Sequence, residues 1–335
     1  MKKKHQNIFF LFGIAVLILM VSQLDFNEVI DGLTRAGYWF VAVIALWIFL
    51  YIFNTAAWYV IIHNNKQHTG DPKTTADVGF WWLYRITVSG FALNYATPGG
   101  LMGGEPYRIM SLAPHIGTER ASSSVILYAM THIFSHFWFW LLSVLLYIAT
   151  QTVNIPMAIM LAVVTAFCLL AVWFFLKGYK KGIATRCMTI LSHFPMVKRW
   201  AQGFFESHRE QLATIDNQIA ALHKQSPKAF WGAVSLELTC RILSALEIYF
   251  ILLVIMPEAN YLDCILILAF TSLLANMLFF MPLQLGGREG GFLLSAKGLT
   301  LSAGAGIFVA LIVRIRELIW TAIGLLFIKL DRKKA

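Results

Sequence analysis

The sequence predicts an all-α polytopic membrane protein, with about six full spans and two re-entrant helical hairpins in an inverted-topology repeat. Three observations carry this prediction. Of 335 residues, 59% are hydrophobic and 13% are charged, against about 25% charged in an average soluble domain. The apolar residues lie in long continuous runs, not in the alternating segments of about ten residues that build a membrane β-barrel. Finally, the placement of Lys and Arg is reconciled with these runs only if two of them enter and leave the membrane on the same side.

The elements follow in order. Lys2-Lys3-Lys4 precede an apolar run from Ile8 to Leu24. Ser22-Gln23-Leu24-Asp25 is a poor match to a small-residue cleavage site, so the run is read as a first span rather than a signal peptide, with an outer loop to residue 37. A second run, Tyr38 to His63, ends at a polar turn, and a third covers Val78 to Thr97. From Ala121 to Leu176 there is no Asp, Glu, Lys or Arg. That length holds two spans, with a hinge at Gln151-Thr152-Val153-Asn154-Ile155-Pro156. A polar segment, Lys177 to Lys228, separates this first half (38–176) from a second (229–330), whose apolar runs are Ala229–Met256, Leu262–Met281 and Ser302–Ile328. Cys168, Cys187, Cys240 and Cys264 have no paired spacing and read as packing residues, not as a disulfide or zinc framework.

The Lys177–Lys228 segment carries nine Lys/Arg against Glu206, Glu210 and Asp216. The positive-inside rule places it in the cytoplasm with both termini, on a plasma (inner) membrane. Five simple spans before Lys177 would put it outside. The region near 78–112 is therefore read as a hairpin from the cytoplasmic side. By the same parity, the region near 262–300 is a hairpin from outside. The net charge of +10 is then an orientation signal and a contact with anionic lipid, with no call for nucleic acid.

Both hairpins break at related sequences. Pro98, Gly103 and Glu105 recur at the spacing of Pro282, Gly287 and Glu289, with Asn94 and Asn276 upstream of each set. Gly99, Gly100, Gly104 and Gly286 complete the two glycine-rich tips. Segments broken by Gly and Pro in corresponding positions of two halves point to a transport site near the midplane. A glycine run leading into a helix start exposes backbone N–H groups that attract anions. Arg108 and Arg288 stand beside the tips, so one reading is a two-sided phosphate cradle in which Glu105 and Glu289 orient the arginines or exchange protons. The other is that Glu105–Arg108 and Arg288–Glu289 neutralise each other while the glycines permit close packing. The cost of ionisable groups in lipid favours the first.

The last span carries Arg314-Ile315-Arg316-Glu317. Arg314 and Glu317 share a face and suit a structural pair. Arg316 needs a partner of its own, for which Glu289, Glu237 and Glu247 are candidates. Glu237 and Arg241 read as an intrahelical pair, Glu247 has no cation at helical spacing, and Arg85 is a candidate for a water-filled cavity. His132 and His136, four apart, lack an accompanying acidic residue, so no metal site is expected and packing among Phe134, Phe137, Trp138 and Trp140 accounts for them better. No cofactor is implied.

The paired P-x-x-x-x-G-x-E elements, G-G-E-P-Y-R at Gly103–Arg108 and G-G-R-E-G-G at Gly286–Gly291 resemble the transmembrane region of lysylphosphatidylglycerol synthases and related stand-alone flippase-like proteins, over about Tyr38 to Ile328. The resemblance implies the lipid-translocating half without the soluble synthase half, so no aminoacyl-transfer enzyme. It places the family's motif on Pro98, Gly103, Glu105, Arg108, Gly287, Arg288 and Glu289. The expected function is a flippase or scramblase for an anionic phospholipid or polyprenyl-phosphate-type lipid, its headgroup held by Arg108, Arg288, Arg314 and Arg316. A membrane-embedded enzyme acting on a lipid phosphate and an ion-coupled transporter of a small anion are the alternatives. The expected partners are membrane lipids; the oligomeric state is open, a homo-oligomer included.

Overall fold

A computed structural model describes residues 26–64, 78–96, 103–177, 227–277, 290–292 and 303–331. The first span, nearly all of the basic segment, and Pro98, Gly99, Gly100, Pro282, Gly286, Gly287, Arg288 and Glu289 lie outside the described residues. All regular structure within them is helical, in nine principal helices. We label these α1 (Phe26–Ala36), α2 (Tyr38–Asn64), α3 (Phe80–Ala96), α4 (Gly104–Ile116), α5 (Thr118–Thr150), α6 (Ile155–Lys177), α7 (Pro227–Leu252), α8 (Tyr261–Met277) and α9 (Ala303–Asp331). Three of them are long and apolar enough to cross a membrane on length and composition alone, over Tyr38–His63, Arg120–Thr150 and Ile155–Trp173. The chain is a multi-pass membrane protein.

Most predicted boundaries stand. The hinge falls between α5 and α6, where Gln151 to Asn154 leave the helix, and the break near Pro257-Glu258 separates α7 from α8. The outer loop is a departure, because residues 26–36 form α1, joined to α2 through Gly37 at φ +53°. The sequence from Phe26 to Thr34 mixes polar and apolar residues at helical spacing, and the helix meets α9 with Gly32 against Leu311 and Arg35 over the Phe308 ring.

α3 and α4 form an antiparallel helical hairpin. Asn94 meets Gly104 and Glu105, Thr87 meets Arg108, and Trp82 meets His115, so the contacts run in opposite directions along the two helices. Glycines set how closely they approach. A side chain on Gly104 would overlap the Gly90 carbonyl, and one on Gly90 would overlap the Arg108 guanidinium. α3 is clamped on its other side by α9. A Cβ on Gly324 would lie 2.5 Å from Ala92 Cβ and 2.9 Å from the Val88 carbonyl, and Ser89 Oγ donates to the Gly324 carbonyl at 2.9 Å.

The halves pack in an exchanged order. α2 lies antiparallel to α7, with contacts Trp39–Phe250, Trp47–Glu247 and Asn54–Cys240. α3 lies antiparallel to α9, and correspondingly α8 lies antiparallel to α5, where Trp140 Nε1 donates to Ser272 Oγ at 3.0 Å and Gln151 Nε2 to Asp263 at 2.9 Å. The shift that carries Pro98, Gly103 and Glu105 onto Pro282, Gly287 and Glu289 carries Trp140 onto Gly324, and Ser89 onto Leu273, the neighbour of Ser272. The short sequence repeat is thus matched by helix contacts far from it. The same shift takes His132 onto Arg316 and His136 onto Trp320.

The Gly324 contact yields a prediction. Gly324→Ala forces α9 away from α3 and destabilises the fold by about 1–3 kcal/mol, read as a lower midpoint in unfolding by SDS in mixed micelles. An unchanged midpoint would mean that the two helices do not touch there.

Candidate functional site

The first charged centre sits at the start of α4. Its N-cap is Gly103, which has no side chain to bond the free N–H groups of the first turn. Asn94 does this from across the hairpin. Its Oδ1 accepts from the Gly104 N–H at 2.7 Å, and its Nδ2 donates to Glu105 Oε1 at 3.0 Å. One turn further on, Arg108 is 2% exposed. Its guanidinium donates from one terminal nitrogen to Glu105 Oε1 at 3.2 Å and from the other to the Thr87 carbonyl at 3.3 Å. Three aromatic rings box it: Phe91, Tyr128 and Trp58, with centroids 4.7, 5.4 and 5.8 Å from its central carbon. Such faces attract a guanidinium and replace part of its lost hydration.

This pairing is incomplete. Glu105 Oε2, Arg108 Nε and Thr87 Oγ1 are buried with no hydrogen-bond partner. A guanidinium carries five donors in a planar fork that suits a two-oxygen anion, and Glu105 gives it one oxygen. Glu105 itself is 15% exposed on its side chain.

The second centre joins α2, α7 and α9. Arg316 forks onto Glu247, with Nε to Oε1 at 2.7 Å and a terminal nitrogen to Oε2 at 2.9 Å. It stacks on Trp47 at 4.0 Å, and Trp47 Nε1 donates to Glu247 Oε2 at 3.0 Å. Glu317 lies 3.7 Å from Arg316 and accepts from the Tyr95 hydroxyl. Of the candidate partners for Arg316 among the described residues, Glu247 is the one it forks onto, which also answers why Glu247 has no cation on its own helix. Two charges buried in this geometry are mutually satisfied, and removing either strands the other. Arg314 is half-buried on the same helix as Arg316.

The third centre corrects two expectations. Glu237 and Arg241 do not bond each other along α7; both reach across to α5. Glu237 Oε2 bonds His132 Nδ1 at 2.7 Å. Arg241 donates from Nε to Ser135 Oγ at 2.8 Å, from one terminal nitrogen to His136 Nε2 at 2.7 Å, and from the other to the His132 carbonyl at 2.9 Å. The histidines are therefore polar partners of α7 and not simply aromatic packing. The periodicity of α5 hid this, because the groups that use them lie on a helix a hundred residues away in the chain. Cys240 likewise exceeds a packing role, accepting from Asn54 Nδ2 at 2.9 Å. No group of three or more His, Cys, Asp or Glu suited to a metal occurs among the described residues.

Other expected site residues are placed as follows. Arg85 is half-buried on α3. Asn276 is exposed and donates to the Ser272 carbonyl of its own helix at 2.7 Å; the tip that it would cap lies outside the described residues. The aromatic box of Trp58, Phe91 and Tyr128 was not foreseen, since each ring sits in a helix apolar on every side. Gly90, a lone glycine inside an apolar helix, was the available signal for a close approach.

The closed and open pairs respond differently to neutralisation. Glu247→Gln takes the charge from a fork filled on both oxygens, leaving Arg316 with Glu317 at 3.7 Å, and costs roughly 3 kcal/mol. Glu105→Gln, which breaks a single bond's charge assistance, costs about 1 kcal/mol. Unfolding midpoints in mixed micelles measure both. Equal losses would contradict the distinction.

No curated protein and no solved structure is significantly similar to the chain. A protein family does match, over residues 8–324, and its sequences are described as the lysylphosphatidylglycerol synthase TM region. With nearly the whole chain covered, the protein belongs to the lysylphosphatidylglycerol synthase TM region family, a membrane family related to lipid handling.

Proposed function

We propose that the protein moves an anionic, phosphate-bearing lipid between leaflets of the inner membrane, and that Arg108 receives the headgroup. The observation that carries this reading is the incomplete Glu105–Arg108 pair, buried in an aromatic box at a helix start. A phosphate presents several oxygens to a guanidinium and is favoured at a helix N-terminus. It displaces Glu105 from Arg108 and completes the fork that one carboxylate oxygen leaves unfilled. Glu105 holds the cation while no lipid is bound.

Helix length supports a re-entrant arrangement. At 1.5 Å per residue, the 17 residues of α3 reach about 25 Å and the 13 of α4 about 20 Å, short of a hydrocarbon core of about 30 Å. α2, α5, α7 and α9, with 27, 33, 26 and 29 residues, exceed it. The α3–α4 hairpin then enters from the cytoplasm and the α8 hairpin from outside, as the mirrored packing of the halves suggests. The protein acts by binding and re-exposing the lipid, not by chemistry on it.

The test is movement of a fluorescent phosphatidylglycerol in proteoliposomes, followed by quenching of the outer-leaflet label. Losing charge-assisted hydrogen bonds worth about 1.5–3 kcal/mol lowers the rate of Arg108→Met roughly 10- to 150-fold, with Arg108→Lys intermediate. Wild-type rates in Arg108→Met would overturn the assignment.

A further inference from the structure

The α5–α7 centre does work that the Arg108 site does not use. Its two histidines differ in what their neighbours allow. Arg241 can only donate, so His136 Nε2, 2.7 Å from it, accepts. The remaining His136 nitrogen, Nδ1, then carries the hydrogen and donates to the His132 carbonyl at 3.1 Å. Both ring nitrogens are committed, and His136 is held neutral.

His132 is under no such lock. Its Nδ1 faces Glu237 Oε2 at 2.7 Å, and the hydrogen between them can belong to either side. The His132 side chain keeps 29% of its exposure while that of Glu237 keeps 1%. Of the two groups, the histidine is therefore the one open to an incoming proton, Glu237 being enclosed. The other Glu237 oxygen, Oε1, is buried without a close hydrogen bond, with the Tyr128 hydroxyl standing near the carboxylate besides His132 and Arg241. That is a costly state in an apolar bundle, and an added proton relieves it.

This pair adjoins the Arg108 box. The Phe91 ring lies 4.7 Å from the Arg108 guanidinium and 6.0 Å from the His132 ring. Tyr128 lies 5.4 Å from the guanidinium and 6.3 Å from the same imidazole. The groups facing His132 are Glu237 and Arg241 from α7, Arg108 from α4, and Tyr128 and His136 on its own helix; α2 brings the neutral Asn54, bonded to Tyr128, and α3 the Phe91 ring. α6 and α8 carry one charged residue each, Lys177 and Asp263, near their ends. With His136 neutral, Glu105, Arg108, Glu237 and Arg241 balance, and one proton on His132–Glu237 makes the cluster net positive.

We infer that His132 and Glu237 form a proton-binding site, loaded through His132, whose occupancy strengthens capture of a phosphate-bearing headgroup at Arg108. The second half rests on the proposed function. By linkage, a bound headgroup also strengthens proton binding, so proton and lipid anion load together.

The experiment uses the full chain in nanodiscs with ¹⁵N-labelled histidine, its signals assigned through His132→Gln and His136→Gln. His132 should pass from neutral to charged as the pH is lowered, and His136 should keep its neutral Nδ1–H form throughout. Glu237→Gln removes the anionic partner and moves the His132 transition to lower pH. Binding of short-chain phosphatidylglycerol should strengthen several-fold over the same transition in wild type and stay flat in His132→Gln. A His132 silent as the pH is lowered overturns the proton site, whatever lipid does. A titrating His132 with pH-independent lipid binding overturns the coupling. A titrating His132 with no lipid binding at any pH upholds the proton site and counts against the lipid reading.

Discussion

A guanidinium inside an apolar bundle has no water to fall back on, and the arrangement of helices here is largely the set of answers to that constraint. Arg316 is answered by Glu247 and Trp47, which requires α2, α7 and α9 to converge. Arg241 is answered by Ser135, His136 and the His132 carbonyl, which fixes the register of α7 on α5. Arg108 is answered by Glu105, the Thr87 carbonyl and three rings, and this requires α3 to approach α4 closely enough that Gly90 has no room for a side chain.

The answers differ in completeness, and that difference carries the functional argument. The Arg316 fork is filled on both carboxylate oxygens and capped by an indole. Of the two roles open to this cluster, anion site or scaffold, such a filled fork suits a scaffold. Arg108 instead leaves Nε unpartnered, and Glu105 keeps an unpartnered oxygen of its own. A buried, half-filled pair retained at a glycine-broken hairpin is what an exchangeable anion site requires. On α5, His132 bonds Glu237 of α7, and on α9, Arg316 bonds Glu247, also of α7.

Much of this was legible in the chain. The hinge after Thr150, the break near Pro257 and the helix starting beside Gly103 all follow from charge-free length, proline and glycine. Glu105–Arg108 was visible because its partners lie one turn apart. Asn94 was flagged only by position, and its capping role depends on the hairpin closing. Pairs between helices were beyond reach. Glu247–Arg316 could be narrowed to three candidates, while Glu237–His132 was hidden by the nearer Arg241, a plausible partner by spacing that points elsewhere. Rings such as Trp58 and Tyr128 gave no signal, since a helix apolar all round does not say which face holds a cation.

The central claim is that Arg108, and not Arg316, takes the lipid phosphate. Solid-state NMR of the full chain with ¹⁵N-arginine and bound phosphatidylglycerol, measuring ³¹P–¹⁵N dipolar coupling, addresses it directly. The account predicts strong coupling that disappears in Arg108→Lys, whose ammonium carries no arginine label. Coupling that survives unchanged in that variant would place the phosphate on another arginine and contradict the account.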